Sequence, residues 1–351
     1  MDKELAVGID LGTFSCPVGI VNQKGEIAAQ DVLPISPGLK QTKFLELLSA
    51  AIVRLAKPYK DNIGGVGLGI PSWDGHQQKI VNAPNLPQLE GVALTQELAK
   101  HLPPWLTEKI IADNDANVAL DAERFFGNHQ GAEEGIMFFG LGGGVGFAAY
   151  ILDPTTGRLV KSLGRRMRAG EGGHIDNVAP ATAPKRICGC GYEHCLEAHA
   201  SATAVIGYAI WAIDNHLSGV ASTSIANKVK EDDSYNSEAS LQGQVTPLHV
   251  ELAAKGGDRI ALKILEWVAR SLARGMRTQI QNYDPTVIVI SGGLSKWTAM
   301  ISRSIEHLRG LKGVVPTTEA IVTASKLKNA GVLGAAAQVL KEEQIWGNFF
   351  S

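Results

Sequence analysis

The sequence predicts an α/β protein of two lobes, in which mixed sheets are flanked by helices. Its 351 residues exceed the usual size of one domain, which makes two lobes the natural expectation. Apolar segments of strand length alternate with segments whose apolar residues recur at helical spacing, as in α/β layers. A strand-rich opening adds antiparallel pairing to this pattern and so predicts mixed sheets.

The chain opens with three predicted strands and a helix. Residues 5–9, 17–21 and 26–33 are apolar runs of strand length, separated by polar or glycine-containing turns. Residues 43–56 carry apolar side chains at the spacing of an amphipathic helix, and Pro58 ends that pattern. This order indicates a strand meander followed by a helix.

Further strands and one helix are predicted toward the middle of the chain. Residues 66–70 form a short apolar run that stops at a proline, and residues 110–112 form another that leads through a polar turn. A helix is predicted at 116–126 after that turn. Apolar runs at 136–139 and 147–152 flank a glycine-rich turn, and they predict two more strands.

The second half of the chain is richer in predicted helix. Residues 196–216 and 259–281 have amphipathic periodicity, and Asp258 is suited to cap the second helix. Residues 218–244 are polar without a clear period, which predicts an exposed loop or a poorly packed insertion. Residues 330–340 are small and apolar, and they predict a helix that packs closely against another element.

Composition excludes several classes of protein. A formal charge of −2, with 45% apolar and 19% charged residues, gives no electrostatic footprint for nucleic acid or for an anionic membrane. The charged start lacks the apolar stretch of a signal peptide, and no apolar run is long enough to span a bilayer. We therefore expect a cytoplasmic protein, in which four cysteines do not form a disulfide framework.

Three glycine-containing turns follow predicted strands and suit phosphate binding. Residues 10–13 combine an acid that can hold Mg²⁺ through water, a permissive glycine and a hydroxyl. Residues 140–146 contain five glycines in seven positions, which weakens a strand unless the backbone must approach a ligand. Residues 291–294 follow a β-branched strand at 286–290. Each of these turns, taken alone, is most simply an ordinary turn without a ligand. Three of them at strand ends favour a nucleotide-binding cleft.

A polar turn at residues 112–117 joins a predicted strand to a predicted helix. An N-cap would explain one or two of its polar residues, but four of the five positions from Asp113 to Asn117 are Asp or Asn. A carboxylate at a strand end can orient a sugar hydroxyl and accept its proton while the bond to phosphorus forms. Asp115 is the candidate for this role.

A cluster of cysteines with an upstream histidine predicts a structural zinc site. His174, Cys188, Cys190 and Cys195 suit a tetrahedral site of the Cys₃His type, and His194 is a competing fourth ligand. Four protein ligands leave no open position, so the site is expected to be structural. A disulfide or a redox pair is the alternative, but the spacing is not that of a C-x-x-C motif.

These motifs together resemble the ROK family (repressor, open reading frame, kinase) of sugar kinases, within the actin-like ATPase superfamily. The resemblance extends from about Val7 to Leu340. The motifs that carry it are residues 10–13 (DLGT), 83–87 (APNLP), 114–117 (NDAN), 140–146 (GLGGGVG), 170–174 (GEGGH), 188–191 (CGCG), 195–197 (CLE), 291–293 (SGG) and 331–335 (GVLGA).

The resemblance implies a two-lobed, actin-like (ribonuclease H-like) fold with the sugar bound in the cleft between the lobes. The smaller lobe would comprise residues 1–113 and 331–351, and the larger lobe residues 114–330 with the zinc loop and nucleotide turns. Asp115 falls on the catalytic base. The sugar-binding positions are Asn85, Asn114, Asp115, Glu171, His174 and Glu197. The nucleotide-binding positions are Asp10, which would face Mg²⁺, Gly12, Thr13, Gly142, Gly143, Gly144, Gly292 and Gly293.

The implied activity is ATP-dependent phosphorylation of a hexose, with glucose or another unmodified hexose as first choice. An N-acetylmannosamine or N-acetylglucosamine kinase is the alternative. The family usually has two glycines and then a threonine after the first Asp, so either Thr13 replaces the second glycine or the turn is one residue shorter here; Gly143 stands where a threonine is common. The identity of the phosphoryl donor therefore stays open, and so does a catalytically weak sugar sensor. Nine residues before Asp10 are too few for the DNA-binding domain of a repressor. A homodimer is expected, because dimers are common among relatives.

Overall fold

The computed structural model describes residues 3–36, 38–83, 86–129, 131–165, 167–177, 179–215 and 222–347. The chain divides into two compact units. The first unit consists of Met1–Phe138, Ala148–Gly170 and Ser325–Ser351, and the second of Phe139–Phe147 and Glu171–Ala324. The lobe boundaries expected from the sequence, at 113/114 and 330/331, stay a prediction.

Strands form at short apolar runs bounded by glycine, proline or polar turns, and every strand predicted from the sequence overlaps one of them. The strands are β1 (Leu5–Asp10), β2 (Ser15–Asn22), β3 (Ile27–Pro34), β4 (Ile63–Ile70), β5 (Trp73–Asp74), β6 (Lys79–Ile80), β7 (Ile110–Asn114), β8 (Ile136–Leu141), β9 (Val145–Asp153), β10 (Arg158–Lys161), β11 (Val287–Ser291) and β12 (Ile321–Ala324).

Two five-stranded sheets repeat one strand order. The first runs β3-β2-β1-β4-β7 and the second β10-β9-β8-β11-β12. In the first sheet β2 is antiparallel to β1 and β3, whereas β4 is parallel to β1 and β7 is parallel to β4. In the second, β9 and β10 are antiparallel while β11 and β12 are parallel. The predicted α/β class with mixed sheets is confirmed.

Every segment that the apolar periodicity predicted to be helical overlaps a helix, although one of these segments is divided into two helices. They are α1 (Gln41–Ala56), α2 (Leu94–Ala99), α3 (Pro104–Thr107), α4 (Asp115–Phe126), α5 (Leu196–Ala200), α6 (Ala202–Asn215), α7 (Ile225–Lys230), α8 (Pro247–Lys255), α9 (Arg259–Tyr283), α10 (Thr298–Gly310), α11 (Ala330–Leu340) and α12 (Glu342–Ile345). Within the part of the chain that the structure describes, no helix is both long enough and apolar enough to cross a membrane.

Helix α11 lies against β1, β4 and α4 at unusually close range. Glycines on β1, β4 and α11 itself make this approach possible. A Cβ atom added at Gly67 would lie 1.7 Å from the carbonyl oxygen of Ala335, and one at Gly8 would lie 2.0 Å from that of Val332. On α11 itself, a Cβ at Gly334 would lie 1.7 Å from the carbonyl oxygen of Val118. The predicted close packing of residues 330–340 is confirmed: α11 packs closely against β1, β4 and α4.

Two sequence-based expectations for the second half need correction. The predicted helix at 196–216 is two helices, α5 and α6, because the backbone of Ser201 is extended (φ −89°, ψ 168°); His216 itself lies outside the described residues. The segment 218–244 contains helix α7, whose Ile225, Ala226 and Val229 are buried. Ile225 and Val229 are four residues apart and so lie on one face of α7. The helix has only six residues, which is too short for a helical period to be recognised in the sequence.

The predicted cap of α9 is confirmed. Ile260 and Ala261 each donate a backbone N–H to Asp258 Oδ1 at 2.9 Å. The other carboxylate oxygen of Asp258 accepts the hydroxyl of Thr223 at 3.0 Å and the backbone and side chain of Ser224. This carboxylate therefore holds the segment that precedes α7 against the start of α9.

Candidate active site and candidate metal centre

The C-terminal ends of three parallel strands bring the first phosphate turn and the acid turn to one sheet edge. Asp10 at the end of β1 is in register with Gly69 of β4, and Gly69 is in register with Asp113 of β7. Strands in a sheet are about 4.8 Å apart, so Asp10 and Asp113 are separated by roughly 10 Å across Gly69. Asp115 follows Asp113 by two residues at the same edge.

Asp10 has a carboxylate whose surroundings disfavour its charge. Burial, and then the negative charge of Asp115, raise the pKa of Asp10 from 3.8 to about 6. The start of α11 lies against this group, since a Cβ at Gly331 would fall 2.2 Å from Asp10 Cγ. Two carboxylates that repel each other at a strand edge form an arrangement that a divalent cation relieves.

The turn between Asp10 and β2 is tight. Gly12 donates its backbone N–H to the carbonyl of Ser15 at 2.9 Å, and Leu11 donates to the carbonyl of Gly69, also at 2.9 Å. A Cβ at Gly12 would lie 2.9 Å from the Ser15 oxygen, which favours glycine here. Thr13 is half-buried and Phe14 is exposed, so the turn presents a hydroxyl residue and an aromatic ring beyond the strand ends.

The acid turn divides its work among its polar residues. Asn114 is the N-cap of α4, and its Oδ1 accepts the N–H of Ala116 at 3.0 Å. Asp115 is exposed, and its Oδ1 also accepts the Ala116 N–H, at 2.8 Å. Asn117 is buried and donates to Asp113 Oδ1 at 2.8 Å. Capping thus accounts for Asn114, and Asp115 adds an exposed acid to the first turn of α4.

A buried charge cluster that the sequence reasoning missed lies behind this turn. Lys161 Nζ is 2.8 Å from Asp113 Oδ2 and 2.9 Å from Asp121 Oδ2. Asp121 Oδ1 accepts the hydroxyl of Tyr150 at 2.5 Å, and its Oδ2 also accepts the side-chain amide of Gln338. Burial raises the pKa of Asp121 to about 6, against the opposing effect of the Lys161 cation. Burial by itself lowers the pKa of Lys161, but Asp113 and Asp121 raise it above its ordinary value.

In the second unit, two of the predicted phosphate turns are neighbours. Gly142 donates its N–H to the Gly144 carbonyl at 3.1 Å, which closes the turn between β8 and β9. Gly292 has a φ of +86°, and a Cβ there would lie 2.5 Å from the carbonyl of Leu141. Gly143 has nothing within 4 Å of an added Cβ. The two turns therefore meet beside Leu141, with open space beside the Cα of Gly143, whose carbonyl accepts the hydroxyl of Thr203 at 2.7 Å.

Glu197 joins the glycine-rich turn to the cysteine loop. Its Oε2 accepts the backbone N–H of Val145 at 2.9 Å, and a Cβ at Gly144 would lie 2.3 Å from the same oxygen. Its Oε1 lies 3.3 Å from Cys188 Sγ. A predicted sugar-binding residue thus contacts both a phosphate turn and a predicted metal ligand.

The four predicted metal ligands converge on one point. One ligand atom from each of His174, Cys188, Cys190 and Cys195 lies within 4.8 Å of the other three. Cys188 Sγ is 3.6 Å from His174 Nδ1, and Cys190 Sγ is 3.4 Å from Cys195 Sγ. Tetrahedral zinc with Zn–S bonds of about 2.3 Å separates its sulfur ligands by roughly 3.8 Å. The cluster therefore fits a zinc ion.

The alternatives to a metal site fit less well. All four cysteines are free, and the Cys190–Cys195 sulfur separation exceeds the 2.05 Å or so of a disulfide. His194 is not a member of the cluster; its Nε2 lies 3.7 Å from Glu193 instead. Burial raises the pKa of the Cys188 thiol to about 11, so binding of zinc would displace a proton there.

His174 presents its second ring nitrogen away from the cysteines. Nδ1 faces Cys188, whereas Nε2 lies 4.0 Å from Glu171 Oε2. Glu171 is exposed and His174 is partly exposed, with side-chain exposures of 71% and 36%. A metal on Nδ1 would thus fix the orientation of a ring whose other nitrogen is beside a second predicted sugar-binding residue.

The predicted site residues are distributed over both units. Asn85 lies outside the described residues. The first unit holds Asp10, Gly12, Thr13, Asn114 and Asp115, and the second holds Gly142, Gly143, Gly144, Glu171, His174, Cys188, Cys190, Cys195, Glu197, Gly292 and Gly293. Within each unit these residues gather at strand ends and at the loops that follow them.

This fold, with its strand order used twice, is that of the ROK sugar kinases. The crystal structure of a ROK family glucokinase from Streptomyces griseus, in complex with glucose and AMPPNP, matches with a TM-score of 0.73. It is 24% identical, and the match covers 96% of this chain and 99% of that one. The model of the ROK family matches residues 6–342. The chain belongs to the ROK family.

Curated relatives include both enzymes and regulators. A glucokinase of Thermotoga maritima is 28% identical over 353 residues, covering 97% of this chain and 99% of that protein. A putative xylose repressor of Caldicellulosiruptor is 26% identical over 346 residues, covering 96% of this chain and 78% of that protein. Because these relatives include both kinds of protein, the residues of the site must distinguish an enzyme from a sugar sensor.

Proposed function

We propose that this protein is an ATP-dependent hexose kinase that phosphorylates glucose or a related unmodified hexose, with the 6-hydroxyl as acceptor. Full-length similarity to glucokinases supports sugar kinase activity. The observation that carries the proposal is the exposed carboxylate of Asp115, at the strand edge that also bears the partly buried acid Asp10.

Asp115 would act as the general base. The sugar hydroxyl gives its proton to the Asp115 carboxylate as its oxygen bonds to the γ-phosphorus of ATP. The bond from that phosphorus to the bridging oxygen breaks, and ADP leaves. The Ala116 N–H, at 2.8 Å from Oδ1, orients the carboxylate. The first turn of α4 thus restrains the base before the sugar binds.

The sugar would be held by hydrogen bonds from Asn85, Asn114, Glu171, His174 and Glu197. Zinc bound by His174 and the three cysteines would supply structural stabilisation only, because four protein ligands complete its coordination. Holding His174 by Nδ1 leaves Nε2, beside Glu171, to face a sugar hydroxyl. Loss of the metal would then weaken sugar binding as well as folding.

The nucleotide would be bound by the three glycine-containing turns. Asp10 would hold Mg²⁺ and so neutralise charge on the phosphates. Gly12 and Thr13, together with Gly142–Gly144, would lie against the phosphates, while Gly292 and Gly293 would lie at the adenosine end. Residue 143 offers no hydroxyl, so polyphosphate is worth comparing with ATP as donor. A homodimer in the cytoplasm is part of the same proposal.

A sugar sensor is the second candidate, favoured by the 26% identity to a xylose repressor. Purified protein incubated with Mg-ATP or polyphosphate and a panel of hexoses and N-acetylhexosamines distinguishes the two. Release of ADP that depends on a hexose supports the kinase, and preference for N-acetylmannosamine or N-acetylglucosamine would change only the acceptor. Tight sugar binding by calorimetry without any ADP or phosphorylated sugar would overturn the kinase proposal.

A further inference from the structure

We propose that Lys161 is a positioning residue for phosphoryl transfer, which holds the Asp115 turn in place through Asp113. The inference rests on the proposed role of Asp115 as base. Lys161 belongs to β10, which is 46 residues away along the chain from Asp115, and no motif of the sequence points to it. Its side chain is 1% exposed, so it does not meet solvent or substrate directly.

The contacts of Asp113 form the first link. Oδ2 of Asp113 faces Lys161 Nζ at 2.8 Å, while Oδ1 accepts the backbone N–H of Asn114 and the side-chain amide of Asn117, each at 2.8 Å. One carboxylate thus ties the end of β7, the first turn of α4 and the lysine together. The backbone N–H that it holds belongs to Asn114, the residue directly before Asp115.

The surroundings of Lys161 restrain its contact with Asp113. Its second carboxylate partner, Asp121, accepts hydrogen bonds from Tyr150 on β9 and Gln338 on α11. The ammonium also lies 5.7 Å from the centre of the Tyr150 ring and 4.8 Å from that of Trp346. This packing leaves the ammonium little freedom to move, so Oδ2 of Asp113, which it contacts, is restrained as well.

The two carboxylates depend on Lys161 to different degrees. Asp121 keeps Tyr150 and Gln338 as hydrogen-bond donors when the lysine is removed. Asp113 would lose the cation that faces it while it remains 4% exposed. A buried carboxylate that loses its cation rotates toward water, and such a rotation would weaken the hydrogen bonds to Asn114 and Asn117.

The test compares Lys161→Met with Asp121→Asn as a matched control in the same cluster. Both variants are expected to lower the thermal midpoint. Only Lys161→Met is expected to lower kcat, by about 10- to 100-fold, because small displacements of a catalytic group are costly. The KM for ATP should change less than about threefold, whereas the KM for sugar should rise as well, because Asn114 is a proposed sugar-binding residue. Asp121→Asn should keep kcat within about threefold of the wild-type value.

Two further variants make the result specific. Lys161→Gln keeps a donor toward Asp113 and should have a kcat between those of Lys161→Met and the wild type. If Lys161→Met does not fold, Lys161→Gln carries the test alone, with kcat lowered at least about threefold at an unchanged KM for ATP. Wild-type kcat in Lys161→Gln, or equal losses of kcat in Lys161→Met and Asp121→Asn, would overturn the positioning role.

Asp115→Asn measured in parallel separates this inference from the proposed function. An inactive Asp115→Asn beside a fully active Lys161→Met would contradict the role of Lys161 alone. An active Asp115→Asn would contradict the base itself, whatever the outcome for Lys161.

Discussion

Replacing Asp10 with asparagine is expected to stabilise the protein without ligands while abolishing its activity. The structural reason is the raised pKa of Asp10, from 3.8 to about 6, caused by burial first and by Asp115 second. A group whose pKa is higher in the folded state stabilises that state below the unfolded pKa. This stabilisation is lost as the pH rises through the folded pKa. Ionised Asp10 therefore opposes folding near neutral pH, and Asp10→Asn removes that opposition.

The magnitude follows from the two pKa values. Each pH unit between them corresponds to about 1.36 kcal/mol, so the difference approaches 3 kcal/mol above pH 6. For a chain of this size that is a rise of several degrees in the thermal midpoint. The free energy of unfolding of Asp10→Asn relative to the wild type should grow between about pH 4 and pH 7. It should level off at higher pH.

The assay is urea unfolding of both proteins at several pH values, in buffer free of divalent cations and nucleotide. Taking the difference between the two proteins cancels the titration of other groups. Asp115→Asn serves as the control, because removing its charge should lower the pKa of Asp10 and give part of the same gain. A stability difference that does not change between pH 4 and pH 7 would refute the reasoning about this carboxylate.

Two further substitutions test the packing and the metal centre. Gly67→Ala would place its Cβ 1.7 Å from the Ala335 carbonyl, and it should cost about 3 kcal/mol or more of unfolding free energy in urea titration. Gly243→Ala, with nothing within 4 Å of its Cβ, should change stability by less than about 1 kcal/mol, and equal effects of the two would contradict the packing. Cys190→Ser, or removal of zinc by a chelator, should lower the thermal midpoint and raise the KM for sugar together, because the loop holds His174. Cys16→Ala should retain the zinc content, and purified wild-type protein without zinc in metal analysis would rule out the metal centre.

Local signals in the sequence were sufficient for most of the fold. The meander of β1 to β3 and the helix α11 could be predicted because alternating or small apolar residues and turn-forming glycines report on their immediate neighbours. The break at Ser201 was hidden because the apolar period continues across it, although the Ser201 hydroxyl caps α6 by accepting the backbone N–H of Ala204 at 3.0 Å. Helix α7 was missed because its length is below that at which a period can be recognised.

The candidate site divides along the same line. Asp115, the cysteine cluster and the glycine turns lie in short motifs, where residue type and spacing already carry the chemistry. The Asp113–Lys161–Asp121 cluster joins residues 40 and 48 positions apart, and a lysine in a segment of four strand residues looks solvent-exposed in sequence. Burial of such a cation depends on its carboxylate partners, which only the folded chain brings together.

The central claim is that Asp115 takes the proton of the sugar hydroxyl, and single-turnover kinetics of Asp115→Asn test it most directly. With the enzyme in excess and the best hexose from the panel, the rate of phosphoryl transfer should fall by about 10²-fold or more. The dissociation constant of the sugar, measured by calorimetry, should stay within a few-fold of the wild-type value. Transfer at the wild-type rate by Asp115→Asn would contradict the account.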